Sequence, residues 1–444
     1  MNRFKKEKNF SRSLTVWKTI FCVVMIAALL FILGGAVFYA VQDPSERSLR
    51  WVKNMVRKHY YIDIPEETLS DANLSDLFGD GEKEPLLDIY SAYYTKEEYA
   101  ARLSSMAGNQ SGIGISVLSG EYEGQIFRVT GNSPAEESGL KSGMYIVGYG
   151  TDKNNLFSYE QNGFFEFLNS TPDGVNFTVS AAESKEDEVA YYTLYKAEYV
   201  QNYVFYEDCE LSYRYTGEKA ETLTAGETIL SDLPVDAAYI RLDSFSGGAA
   251  KQLESMLNEF KKRGKKRLVL DLRNNGGGQI SVLCDIASYL CKNAEESKFP
   301  VTVARYKNGK TETAYANGQY YSSCFSDDAQ IFVLANQNTA SASEALIGAM
   351  LDYGTIEYEN IFLSEIDGTA RTYGKGIMQS HYVNRITGEA VKLTSARVCW
   401  PKSDNCIHGR GILPEDGAIP MRETNYADCK NSMLHTFIAS YLVA

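Results

Sequence analysis

The sequence predicts an α/β core with a mostly-β unit inserted or preceding it, a helical N-terminal region and one transmembrane helix. Three observations predict this fold class. Short apolar runs alternate with helical spacings from Ala238 onward, glycine-punctuated strands fill Ser111 to Val200, and an unbroken apolar run covers Thr19 to Val41. At 444 residues the chain exceeds one ordinary core, and 44% hydrophobic with 23% charged residues is a globular composition. A formal net charge of -13 gives no broad cationic surface for phosphates, so nucleic acid is excluded as a partner.

The ends and boundaries follow in chain order. Arg3, Lys5, Lys6, Lys8, Arg12 and Lys18 make residues 1–18 a basic segment, and residues 19–41 an apolar one. A membrane-spanning helix needs roughly 20 apolar residues, whereas a cleaved signal peptide has an apolar region of about 7 to 15. The expectation is a retained single-pass anchor in the cell membrane, N-terminus cytoplasmic by the positive-inside rule, with the rest of the chain extracytoplasmic. Residues 43–110 read as helices: Leu49, Val52 and Val56 keep helical spacing, and Thr95-Lys96-Glu97-Glu98 has the form of a capped start. Cys399 and Cys406 flank a turn-like segment and are either a disulfide or two free thiols.

From residue 111 the texture is that of strands: Gly112-Ile113-Gly114-Ile115, then Gln125 to Val129, then Met144 to Val147. Ser133-Pro134-Ala135-Glu136 opens a short helix that closes on Gly139. With these motifs, residues 111–200 resemble a PDZ domain. Gly112, Ile113, Gly114 and Ile115 are then the candidate tail-binding residues, because a glycine turn can aim backbone N–H groups at a carboxylate while a strand edge pairs with an extended peptide. Residues 201–235 read as a linker, and residues 236–444 as the α/β core.

Two strand-end segments carry the candidate chemistry, Asp271-Leu272-Arg273-Asn274-Asn275-Gly276-Gly277-Gly278 and Asn338-Thr339-Ala340-Ser341-Ala342-Ser343-Glu344. Loops at strand ends collect catalytic groups in α/β enzymes. The glycines let backbone N–H groups approach a substrate, although a glycine run alone is most often a turn. Ser341 begins a helix, and a serine there is by itself most often a cap. No histidine pair has zinc spacing and no Gly-x-Ser-x-Gly surrounds a serine, which leaves lysine as the natural base for a hydroxyl nucleophile. Lys375 lies between Gly374 and Gly376, with Gln379 four residues on. Acting as a base requires a neutral amine, which burial favours.

The order Asp-Leu-Arg-Asn-Asn-x-Gly-Gly, Ser-Ala-Ser-Glu, Tyr-Gly-Lys-Gly-x-x-Gln, Leu393 to Arg397 and Gly409 to Pro414 resembles the C-terminal processing peptidases of the S41 serine protease group. The resemblance implies a crotonase-like βα core and a catalytic set of Ser341, Lys375 and Gln379. It also implies an oxyanion hole from the backbone N–H groups of Gly276, Gly277 and Ala342. The implied activity is hydrolysis of peptide bonds in protein or peptide substrates with apolar C-terminal tails, with no metal and no organic cofactor. Gly276 stands where the family has proline, Thr339 where it has a smaller residue, and the stretch Thr355 to Thr372 is longer than usual. A catalytically inactive, membrane-tethered PDZ scaffold that holds protein C-termini without cutting them is the rival reading.

Overall fold

The computed structural model describes residues 17–31, 43–79, 83–118, 120–185, 187–215, 220–223, 230–292, 298–317, 321–366, 368–423 and 433–443. They fall into two compact units, residues 1–92 and 93–444.

In the first unit, residues 17–31 are helical, and three helices follow at Pro44–His59, Glu66–Asp71 and Leu74–Phe78. Asp43 starts the Pro44–His59 helix by accepting a hydrogen bond from Ser45 N at 2.7 Å, with Pro44 at the first helical position. Val52 and Val56 form its buried stripe, and its last turn carries Arg57, Lys58 and His59. The expected single-pass anchor is corrected. Residues 32–41, the rest of the expected span, lie outside the described residues, and among the described residues no helix is long and apolar enough to cross a membrane. The orientation and localisation inferred from that anchor fall with it.

The second unit is built around a nine-stranded mixed sheet. Its centre is four parallel neighbours, Ala237–Leu242, Arg267–Asp271, Gln330–Ala335 and Ile361–Ile366. Leu268, Val269 and Leu270 are all wholly buried, the continuous apolar reading that a strand covered on both faces requires. One face is covered by the helices Ala249–Lys262, Ile280–Leu290 and Ala342–Asp352, whose Leu253, Ile286 and Leu346 share a cluster with Leu270 and Val333. The other face is covered by the C-terminal Met433–Phe437 helix, whose Phe437 packs with Tyr239, Val269 and Phe362. The long stretch before Thr372 is explained by this sheet. It supplies the parallel strand Ile361–Ile366, which then pairs with Ile419–Arg422.

A second sheet is antiparallel and includes Lys298–Tyr306, Thr311–Asn317, Ile377–Val383 and Ala390–Cys399. Residues 111–200 have a core of their own, in which Ile126, Ala135, Ile146, Phe164, Phe177 and Val179 close on one another. A four-stranded sheet, a two-stranded pair and the helices Pro134–Ser138 and Gln161–Ser170 surround it. Ser133 caps Pro134–Ser138 through Glu136 N at 3.3 Å, and Gly139 ends it in the left-handed conformation. The Thr95 capping box is also formed, ahead of the helix Lys96–Met106. Cys399 and Cys406 are both free thiols.

Candidate active site

Two loops meet at the carboxyl ends of adjacent parallel strands. The first leaves Arg267–Asp271, where a buried ion pair fixes its base: Arg273 Nη2 lies 2.7 Å from Asp271 Oδ2, Tyr239 Oη donates to the same oxygen at 2.6 Å, and Arg273 Nη1 reaches Glu423 at 3.3 Å. The second loop leaves Gln330–Ala335. Three asparagines join the two: Asn336 Oδ1 accepts from Asn274 N at 2.9 Å, while Asn336 Nδ2 and Asn338 Nδ2 donate to Asn274 Oδ1 at 2.7 and 3.0 Å. Asn275 O accepts from Ala340 N at 3.0 Å and from Ser343 Oγ at 2.9 Å, which gives Ser343 a structural task.

Ser341 sits at the N-cap of Ala342–Asp352 with φ 59° and ψ -114°. A non-glycine residue there is strained by about 1–3 kcal/mol and persists only where its surroundings impose it. Here the imposing group is Gly277. A Cβ on Gly277, whose φ is +97°, would lie 2.7 Å from Ala340 O and 2.8 Å from Ala342 N. The sharp strand-to-helix turn that the sequence lacked as a motif is therefore present as a conformation. Gly277 N–H is committed to Asn275 Oδ1 at 2.9 Å. Gly276 and Ala342 are the expected oxyanion donors whose N–H groups have no partner among the described residues.

The lysine segment is held from the other side by one carboxylate. Glu344, 1% exposed, accepts from Ser341 N at 2.9 Å and Lys375 N at 2.8 Å on one oxygen, and from Thr372 Oγ1 at 2.6 Å and Gly374 N at 2.7 Å on the other. Burial pushes its carboxyl above the usual range, against the pull of these four donors. The glycines beside Lys375 answer to backbone crowding. A Cβ on Gly374 would lie 2.8 Å from Gly411 N, and one on Gly376 would lie 2.8 Å from His408 N, so the Gly409-Arg410-Gly411 segment packs directly on the lysine loop. Glu344 and Thr372 were not singled out from the sequence. Their signal was the Ser-x-x-Glu spacing of a capping box, here shared by a second segment.

A cleft of about 610 Å³ is lined by Ser341, Lys375, Gln379, Gly276, Gly277 and Ala342, among others. Gln379 Nε2 donates to Thr394 Oγ1 at 3.1 Å across the Ile377–Val383 and Ala390–Cys399 strands. Trp400 forms part of the wall and rests on the serine helix at Gly348, where a Cβ would meet the indole at 2.1 Å. Gly112, Ile113, Gly114 and Ile115 lie apart from this cleft. Ile113 O and Gly114 O accept from Ala135 N at 2.9 Å and Thr130 N at 2.8 Å, and a Cβ on Gly114 would strike Ser133 at 2.1 Å. No group of His, Cys, Asp and Glu among the described residues could hold a metal ion.

The comparisons with known proteins fit this construction. Residues 236–416 match the model of peptidase family S41. The chain is 25% identical over 423 residues to a CtpA-like serine protease of Staphylococcus saprophyticus, covering 93% of this chain and 74% of the other. It is 28% identical over 351 residues to a carboxyl-terminal-processing protease of Picosynechococcus, covering 78% and 73%. The fold is similar to that of an S41 protease from Bacteroides fragilis, with a TM-score of 0.53, 16% identity, and coverage of 88% of this chain and 92% of that one. Residues 236–416 are thus similar to peptidase family S41, and over most of its length the chain is similar to carboxyl-terminal-processing serine proteases.

Proposed function

We propose that the protein is a serine endopeptidase that captures the apolar C-terminal tail of a protein substrate and cuts the chain with Ser341. Ser341 Oγ attacks the peptide carbonyl while neutral Lys375 takes its proton, and Gln379 orients the lysine amine. The N–H groups of Gly276 and Ala342 receive the oxyanion, aided by the amino end of the Ala342–Asp352 helix. Lys375 then activates the water that hydrolyses the acyl-enzyme. The observation that carries the reading is that one cleft gathers Ser341, Lys375, Gln379, Gly276 and Ala342.

Residues 111–200 serve as the tail-binding domain in this reading. Gly112 and Gly114 have φ of +138° and +83°, a backbone course open to glycine and suited to turning N–H groups toward a carboxylate. The name of the Picosynechococcus relative supports action at carboxyl termini. The test is degradation of an unfolded reporter with an apolar tail by the full chain, by Ser341→Ala and by Lys375→Ala. Loss of cleavage in both variants is expected, and parental rates in either would overturn the scheme.

A further inference from the structure

The active-site cleft has an electrostatic character opposite to that of the chain. In a protein of net charge -13, the cleft is lined by Arg102, Arg128, Lys375, His381 and Lys392, against only Asp243 and Glu344 as carboxylates. Glu344 is fully engaged, and Asp243 is paired through Oδ1 while its Oδ2 is buried without a hydrogen-bond partner. Asp243 pairs with Arg241 at 2.9 Å, and Glu344 takes the four donors described above. Arg128 is anchored to the backbone oxygens of Asp243 and Asn274, at 3.3 and 2.5 Å. Arg102 and Lys392 have no acidic partner among the described residues.

Arg102 and Lys392 flank a single side chain. His381 and Lys392 are direct cross-strand partners, which places both on one face of the sheet, and Arg102 approaches from the helix Lys96–Met106. Tyr94 stacks on the His381 ring at 6.4 Å and Tyr99 tilts against it at 5.7 Å, and His381 Nδ1 is buried with no hydrogen-bond partner. Two lysine and arginine charges held beside a ring nitrogen, with no counter-charge, are a site for an anion. His381 is two residues beyond Gln379 on the same strand, about 7 Å along it, and lines the same cleft as Ser341.

We propose that Arg102, His381 and Lys392 form a subsite that binds a carboxylate of the substrate chain, either an Asp or Glu side chain flanking the scissile bond or the substrate's own C-terminus. The subsite rests on the peptidase reading above. It adds a second preference to an apolar tail, a negative charge beside the cleavage point.

The test uses the full chain and fluorogenic peptides in which Glu is exchanged for isosteric Gln at each of the two positions on either side of the cut, each made with a free and an amidated C-terminus. The acidic peptide is expected to show a kcat/KM about tenfold above its amide counterpart, carried by KM and shrinking at high salt. An effect of Glu over Gln assigns the side chain as the source, and an effect of the terminus alone assigns the C-terminus. The acid-to-amide ratio is expected to fall toward one in the Arg102→Gln/Lys392→Gln double variant, and Lys392→Glu is expected to favour a peptide with Lys at the same position. Equal turnover of every peptide in the set by the parent, with Ser341→Ala inactive, overturns the subsite alone. Undiminished turnover by Ser341→Ala overturns the peptidase scheme instead.

Discussion

Ser341 and Lys375 are held in place by different means. The serine turn is wedged between two parallel strands, with three asparagines, Gly277 and the chain on either side imposing an unfavourable backbone conformation on it. The lysine segment leaves the core sheet for the edge strand Ile377–Val383, and it is held to the serine helix largely by the carboxylate of Glu344. Close packing backed by asparagine hydrogen bonds places Ser341, and hydrogen bonds to one carboxylate place the Lys375 segment. A residue set by sterics tolerates little substitution, whereas a segment set by one carboxylate can be displaced by a single atom change.

The largest effect expected is on turnover. Ser341→Ala should lower kcat by at least about a thousandfold. Ser341→Gly should be equally inactive yet more stable by about 1 kcal/mol, because glycine relieves the positive φ. A calorimetric melting temperature no higher than the parent's would show that the turn is not strained.

Glu344→Gln comes next and separates the two halves. The amide keeps the volume but replaces an acceptor oxygen with a donor facing N–H groups, which should cost about 2–3 kcal/mol and lower kcat more than it raises KM. Unchanged kcat would mean that the lysine segment holds its place without this carboxylate.

The glycine turn gives a contrast of its own. Gly277→Ala, with neighbours at 2.7 and 2.8 Å and a positive φ, should lose on the order of 3 kcal/mol in denaturant unfolding. Gly276→Ala, which meets nothing within 4 Å, should change stability by less than about 0.5 kcal/mol. Equal losses would mean that the serine turn does not depend on that close approach.

The smallest effect expected concerns pH. Burial first, then the charges of Lys392 and Arg102, hold His381 below its usual 6.5, with Tyr94 and Tyr99 against its ring. A histidine with a depressed folded value contributes stability that is present above about pH 6.5 and lost as pH falls through the lowered value. His381→Asn should therefore flatten part of the decline in melting temperature below pH 6.5.

The difference between the two halves also explains what the sequence made legible. The strands around Leu268 to Leu272 and Ile331 to Ala335, the helix through Leu253, Met256 and Phe260, and the caps at Thr95 and Ser133 are local patterns, and they appear where periodicity puts them. Ser341 was readable as a helix start because capping is local. Its strain was not, because it arises from Gly277, distant in sequence. Lys375 was reachable by excluding a histidine base and from its flanking glycines, and Gln379 from its spacing, but their clasp by Glu344 was not, since no local rule marks a lysine segment as held by a glutamate on another element. The transmembrane reading rested on composition, which registers the apolar run of Thr19 to Val41, whereas among the described residues no helix is long and apolar enough to cross a membrane.

The reach of Glu344 has a bearing on biosynthesis. Its carboxylate joins residues 341 and 344 to residues 372, 374 and 375, and those in turn rest on residues 409 to 412. Residues this far apart meet only after the long loop between them has closed, a late and slow event in folding. A nascent chain that carries Ser341 but lacks the segment near Gly411 lacks part of what this clasp rests on. The clasp thus makes closure of that long loop a condition for holding residues 341 and 375 together.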